Sequence, residues 1–194
     1  MNKFVTPGIK DEIFIRGEVP MTKEEVRIIS LSKLALEPDS ILYDIGAGTG
    51  SITVEAARLI VDGRVLAVEK EAAAVALIKQ NLLKFGCRNV KLVEGTAPDC
   101  LNSLPSPDRV FIGGSGENLA SIFNYINDRL EPGGRIVANA VTMETTYEII
   151  SLLEQKNYNV GAVNINFSSL KKVGRKHIWQ AANPIAVIWG VKEE

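Results

Sequence analysis

The chain has a single histidine, only two cysteines, no excess of either charge and no long apolar run. Cys87 and Cys100 lie thirteen positions apart. With one histidine they give neither a metal-ligand cluster nor a disulfide framework, so no metal is expected and a reduced, intracellular compartment is the default. The 22 basic and 23 acidic residues leave a net charge of -1. No global field therefore draws the protein to nucleic acid or to a membrane surface, and neither is expected as a partner. Residues 1–20 alternate charged and apolar side chains, and no apolar stretch approaches the length that spans a bilayer, which predicts a cytoplasmic location. Internal repeats, low-complexity tracts, a Ser-His-Asp set and paired catalytic carboxylates are also missing.

What is present is 194 residues with 46% hydrophobic content, enough for one domain with a sizeable core. We read residues 1–38 as an arm and a capped helix, and residues 39–194 as the core. Phe4, Ile9, Ile13, Phe14 and Ile15 predict that the arm packs on the domain. Thr22-Lys23-Glu24-Glu25 matches a capping box, with a helix running to about Leu36 and closed by Pro38. From Ile41 the chain alternates. Apolar strand-like runs at 41–45, 64–69, 90–94, 108–113 and 135–140 are separated by helical patterns at about 51–60, 71–85, 97–103, 117–130 and 143–156. Regular alternation predicts a parallel sheet with right-handed crossovers and helices on both faces. The runs at 158–167 and 184–191 should pair antiparallel at one sheet edge. The expected fold is α/β and Rossmann-like, with a seven-stranded, mostly parallel sheet and an antiparallel C-terminal hairpin.

The most informative stretch is Tyr43-Asp44-Ile45-Gly46-Ala47-Gly48-Thr49-Gly50-Ser51, a strand that runs into a glycine turn and then a helix. A dinucleotide site wants G-x-G-x-x-G, whereas this spacing is G-x-G-x-G with Asp44 two residues upstream. It resembles motif I of the class I methyltransferases that use S-adenosylmethionine. In such a sheet the ligand lies beyond the carboxyl ends of the strands, where strand order reverses. Glu69 ends the second strand and can accept both ribose hydroxyls of an adenosine, or else is a solvated acid at a helix start. Gly95, Thr96 and Ala97 suit an adenine, or a simple helix-starting turn. Gly113, Gly114, Ser115 and Gly116 leave floor space for a large flat substrate and offer nothing that stacks a base; alone they would read as a flexible turn. Asn139 points to the same mouth or satisfies a loop backbone. Lys171, Lys172, Arg175 and Lys176 put four cations in six residues, either a solvated hairpin tip or a clamp for a polyanion. His177 could serve as a base, or be structural.

Residues 20–27 (PMTKEEVR), Asp44 to Gly50, Glu94 to Pro98, residues 111–116 (FIGGSG), residues 133–141 (GGRIVANAV) and Asn183-Pro184 together resemble the decarboxylating precorrin-6B C15-methyltransferases of cobalamin biosynthesis. The likeness runs through nearly the whole chain. It implies methylation of C15 of (cobalt-)precorrin-6B, loss of CO2 from the ring C acetate, and a homotetramer. It also implies that Thr22, the loop Gly46 to Gly50, Glu69 and Ala97 contact the donor, which leaves Thr22 with two candidate jobs. The absence of catalytic side chains then makes sense, because the sulfonium is already activated and the enzyme has chiefly to align donor and acceptor. Alternatives are a methyltransferase for tRNA or another RNA that uses the basic hairpin for phosphates, and a dinucleotide-binding oxidoreductase.

Overall fold

Seven strands form one sheet in the order β3-β2-β1-β4-β5-β9-β6 in the computed structural model, which describes residues 6–116 and 118–194. The expectations for Phe4 and for a helix starting at Glu117 lie outside the described residues. Strands β1 (Ile41–Ile45), β2 (Arg64–Glu69), β3 (Val90–Glu94), β4 (Arg109–Ile112) and β5 (Arg135–Ala140) are parallel. The C-terminal strands β6 (Tyr158–Ile165) and β9 (Ile185–Lys192) pair antiparallel as expected, with β9 lying between β5 and β6. Strand order turns back between β1 and β4. A crevice therefore opens beyond their carboxyl ends, where the glycine loop sits.

Helices cover both faces. On one side lie α1 (Glu24–Leu34), α2 (Ser51–Leu59) and α3 (Ala72–Phe85); on the other lie α4 (Leu119–Asn127) and α5 (Met143–Glu154). The two-residue period of β1 divides its side chains between the layers. Leu42 packs under α1 and α2 while Tyr43 and Ile45 join the α4–α5 layer. Asp44 follows Leu42 to the α2 side and meets Thr53 there.

Three local expectations need correction. Helix α1 starts at Glu24, Lys23 occupies the N-cap position, and no side chain caps it, so Thr22 and Glu25 do not form a capping box. The Thr22 carbonyl is instead taken by the Arg27 guanidinium at 2.6 Å, and α1 ends at Leu34 because Ala35 turns left-handed at φ 46. The pattern at 97–103 yields only a 3-10 turn, Asp99–Leu101. The segment between β6 and β9 holds two further strands, β7 (Ser168–Val173) and β8 (Lys176–Ala181), as a separate antiparallel hairpin. Every residue of both strands is exposed, so no alternation of apolar and polar positions marks them.

Candidate active site

Two cavities share a wall made by the glycine loop and the loop after β4. The larger, about 930 Å³, opens over the ends of β1 and β2 and is lined by Glu69, Thr96, Ala97 and the arm residues Glu18, Val19 and Pro20. The smaller, about 410 Å³, is lined by Thr22, Asp44, Ala47, Thr49 and Asn139. Gly46, Gly48 and Gly113 to Gly116, with Ser115 among them, line both.

The loop geometry explains its glycines. Gly46 has φ +72, and a Cβ there would lie 2.3 Å from the Gly114 carbonyl oxygen, so the two loops are in direct backbone contact. Gly48 has φ +58 with the Pro20 carbonyl 3.3 Å from its would-be Cβ. Gly50, also left-handed, leads into α2 and lines neither cavity; its place is structural, against Ile78. The Glu69 carboxylate is held by three backbone donors: the Gly48 N–H to Oε2 (2.9 Å), and the Lys70 and Glu71 N–H groups to Oε1 (2.9 and 3.0 Å). It is buried at the cavity wall, not a solvated acid, and each oxygen keeps lone-pair capacity. The Ala97 carbonyl accepts from the Asn118 amide at 3.3 Å, which ties the turn after β3 to the start of α4.

Asp44 is fully buried and accepts a hydrogen bond from the Thr53 hydroxyl. Its Oδ1 and the buried Thr49 Oγ1 have no protein partner. Two orphaned oxygens beside a side-chain-free cradle and a fixed carboxylate fit a ligand with a cationic tail and a ribose. Burial pushes the Asp44 carboxyl up to about 7, against the lowering effect of the Thr53 hydrogen bond. Its folded value exceeds its unfolded one, so the protonated group stabilises the fold fully below about pH 4, and that contribution is lost as pH rises through about 7. Thermal melts without donor should therefore show the wild type losing Tm relative to Asp44→Asn between about pH 5 and 8. Parallel pH profiles for the two proteins would contradict this.

Asn139 does face the smaller cavity, with its amide oxygen 3.0 Å from the Ser30 hydroxyl of α1 and not engaged with a loop backbone. Lys172 and Arg175 are exposed on the β7–β8 hairpin and line neither cavity, and His177 is equally exposed there. Sequence reasoning missed Glu18 and Val19, whose only signal is the Gly17–Pro20 punctuation, the cavity-lining place of Pro20, and Thr53, which looked like one more helix residue. Among the described residues, no group of three or more His, Cys, Asp or Glu side chains could hold a metal, and no helix is long and apolar enough to cross a membrane.

A sheet of this order, with the glycine cradle ending β1 and a fixed acid ending β2, defines a class I methyltransferase whose methyl donor is S-adenosylmethionine. The model of the precorrin methyltransferase domain family matches residues 13–193, and the chain belongs to that family. A cobalt-precorrin-6B C(15)-methyltransferase (decarboxylating) from Salmonella typhimurium is 40% identical, with 96% of this chain and 97% of that protein aligned. A relative from Sulfurisphaera tokodaii, named as probable for the same activity, is 41% identical over 96% of this chain and 98% of its own. The crystal structure of precorrin-6y C5,15-methyltransferase from Geobacter metallireducens superposes with a TM-score of 0.92 at 40% identity, over 98% of this chain and all of that one (100%).

Proposed function

We propose that this enzyme methylates C15 of (cobalt-)precorrin-6B and removes CO2 from the ring C acetate, giving (cobalt-)precorrin-7. The observation that carries this reading is the Gly113 to Gly116 loop, a side-chain-poor floor in direct backbone contact with the donor loop and open to both cavities. A flat macrocycle can lie on such a floor beside a donor held by the Gly46 to Gly48 turn, Thr22, Glu69, Thr96 and Ala97.

S-adenosylmethionine supplies an activated methyl group when bound. The chain's own contribution is orientation. Glu69 fixes the ribose end, Thr96 and Ala97 border the adenine, and Asp44 and Thr49 face the tail with their unpartnered oxygens. Asn139, anchored by Ser30, offers its amide nitrogen to the acceptor side. The macrocycle's conjugated system provides both the nucleophilic carbon and the electron sink for decarboxylation, so no covalent enzyme intermediate is needed.

The protein acts in the cytoplasm as a homotetramer, on a tetrapyrrole and not on nucleic acid. The β7–β8 hairpin supports assembly. Leu170 and Trp179 are directly paired across it and are 59% and 73% exposed, and an isolated two-stranded hairpin is marginal in water. Lys172 and Arg175 lie outside this chain's own cavities, so their role as a carboxylate clamp runs through a neighbouring copy. Trp179→Glu should lower the mass seen by light scattering, keep S-adenosylhomocysteine affinity and reduce macrocycle turnover. An unchanged mass would remove the hairpin from the assembly.

The direct test is incubation with metal-free and cobalt-loaded precorrin-6B plus S-adenosylmethionine, read by mass spectrometry. Gain of one methyl with loss of CO2 is expected.

A further inference from the structure

Residues 6–20 carry no regular element beyond the 3-10 turn Asp11–Ile13, yet buried side chains hold them at several points. The Gly8 and Ile9 N–H groups donate to the two oxygens of Glu55 at 2.6 and 3.1 Å. Arg27, fully buried, pairs with Glu55 at 2.5 Å and also donates to the Ile9 carbonyl and to Asp11. Phe14 is buried with its ring centroid 5.0 Å from that of Phe85. The fourth attachment differs in kind. Asn81, on α3 and fully buried, accepts from the Ile15 N–H at 2.8 Å and donates from Nδ2 to the Ile15 carbonyl at 3.0 Å. Its second Nδ2 hydrogen goes to the Thr49 carbonyl at 2.9 Å.

One amide thus gives both its N–H groups and its oxygen to two pieces of backbone that are far apart in sequence, the arm and the donor loop. Three residues beyond Ile15 the arm reaches the larger cavity, which Glu18, Val19 and Pro20 line, and Pro20 closes on Gly48. We propose that Asn81 is a positioning residue for the methyl donor: it clips the residue 6–20 segment to the glycine loop, so that arm docking and donor binding form one coupled equilibrium. The inference rests on the assignment of these cavities to the donor. A donor that touches both surfaces favours the docked arm, and by reciprocity anything that undocks the arm weakens the donor. The apparent affinity falls by the fraction of molecules with the arm in place.

Trypsin cleavage at the exposed Arg16 reports arm docking, and calorimetry with S-adenosylhomocysteine reports the donor site. In the wild type, S-adenosylhomocysteine should slow cleavage at Arg16. Asn81→Ala strips three backbone groups of their partner, and should cleave faster and bind S-adenosylhomocysteine about tenfold more weakly, with protection returning at saturation. Phe14→Ala removes the apolar anchor of the arm on Phe85 and leaves the Asn81 side chain and the glycine loop in place, and it should weaken S-adenosylhomocysteine in proportion to the faster cleavage. A merely structural Asn81 would lower Tm and leave both Arg16 cleavage and S-adenosylhomocysteine affinity as in the wild type. The proposal is overturned if S-adenosylhomocysteine leaves Arg16 cleavage unchanged, or if either variant releases the arm while binding the ligand as the wild type does. If the wild type binds no S-adenosylhomocysteine at all, the donor-site assignment falls and takes the inference with it.

Discussion

Gly46→Ala is expected to abolish S-adenosylhomocysteine binding and to cost the fold about 3 kcal/mol. The left-handed backbone at φ +72 already penalises any residue with a Cβ by ~1–2 kcal/mol. The larger problem is the Gly114 carbonyl oxygen, 2.3 Å from where that Cβ would stand. No side chain can swing aside, because the obstacle is backbone. The loop after β4 must move, and with it go the Gly113 N–H bond to the Ile45 carbonyl (2.9 Å) and the wall common to both cavities. Calorimetry for the ligand and urea titration for the fold read the two effects separately. Binding within about threefold of wild type would mean that the loop contact does not shape the donor site.

Gly114→Leu puts a side chain on the floor itself. The φ of Gly114 lies outside the left-handed range, and nothing stands within 4 Å of its would-be Cβ, so a side chain there enters open space. The fold should be unaffected. Macrocycle turnover should fall at least about a hundredfold, since an ångström-scale displacement from the line of transfer is enough to lose that much. S-adenosylhomocysteine affinity should change by less than about fivefold, because Glu69 and the Gly46 to Gly50 backbone are untouched. Normal turnover by Gly114→Leu would show that the macrocycle does not lie on this loop.

The inner strands β1, β2 and β4 were legible in the sequence because both their faces are covered. An unbroken apolar run such as Arg64–Glu69, ended by charged residues, has few other readings. Motif I was equally legible, since its glycines answer to backbone geometry within a few residues. The arm's attachments were hidden because each joins distant positions: Arg27 to Glu55, and Asn81 to both Ile15 and Thr49. Asn81 did leave a trace. It shares the buried face of α3 with Ala74, Val75 and Ile78, and a polar residue on an apolar helix stripe asks for a specific partner. The capping-box motif at Thr22 misled for the opposite reason. A four-residue match describes a possibility only: the helix starts one residue later than the motif requires, with Lys23 at the N-cap position, and the Thr22 carbonyl goes to the Arg27 guanidinium. The hairpin β7–β8 gave no strand signal because its side chains face solvent on both sides in the isolated chain.

The acceptor in this reading is a tetrapyrrole that lies on the Gly113 to Gly116 floor. Incubation of the protein with precorrin-6B, metal-free and cobalt-loaded, together with S-adenosylmethionine tests it most directly by mass spectrometry. The predicted product carries one added methyl group and has lost CO2. Methylation of RNA, with both tetrapyrroles returned unchanged, would contradict it.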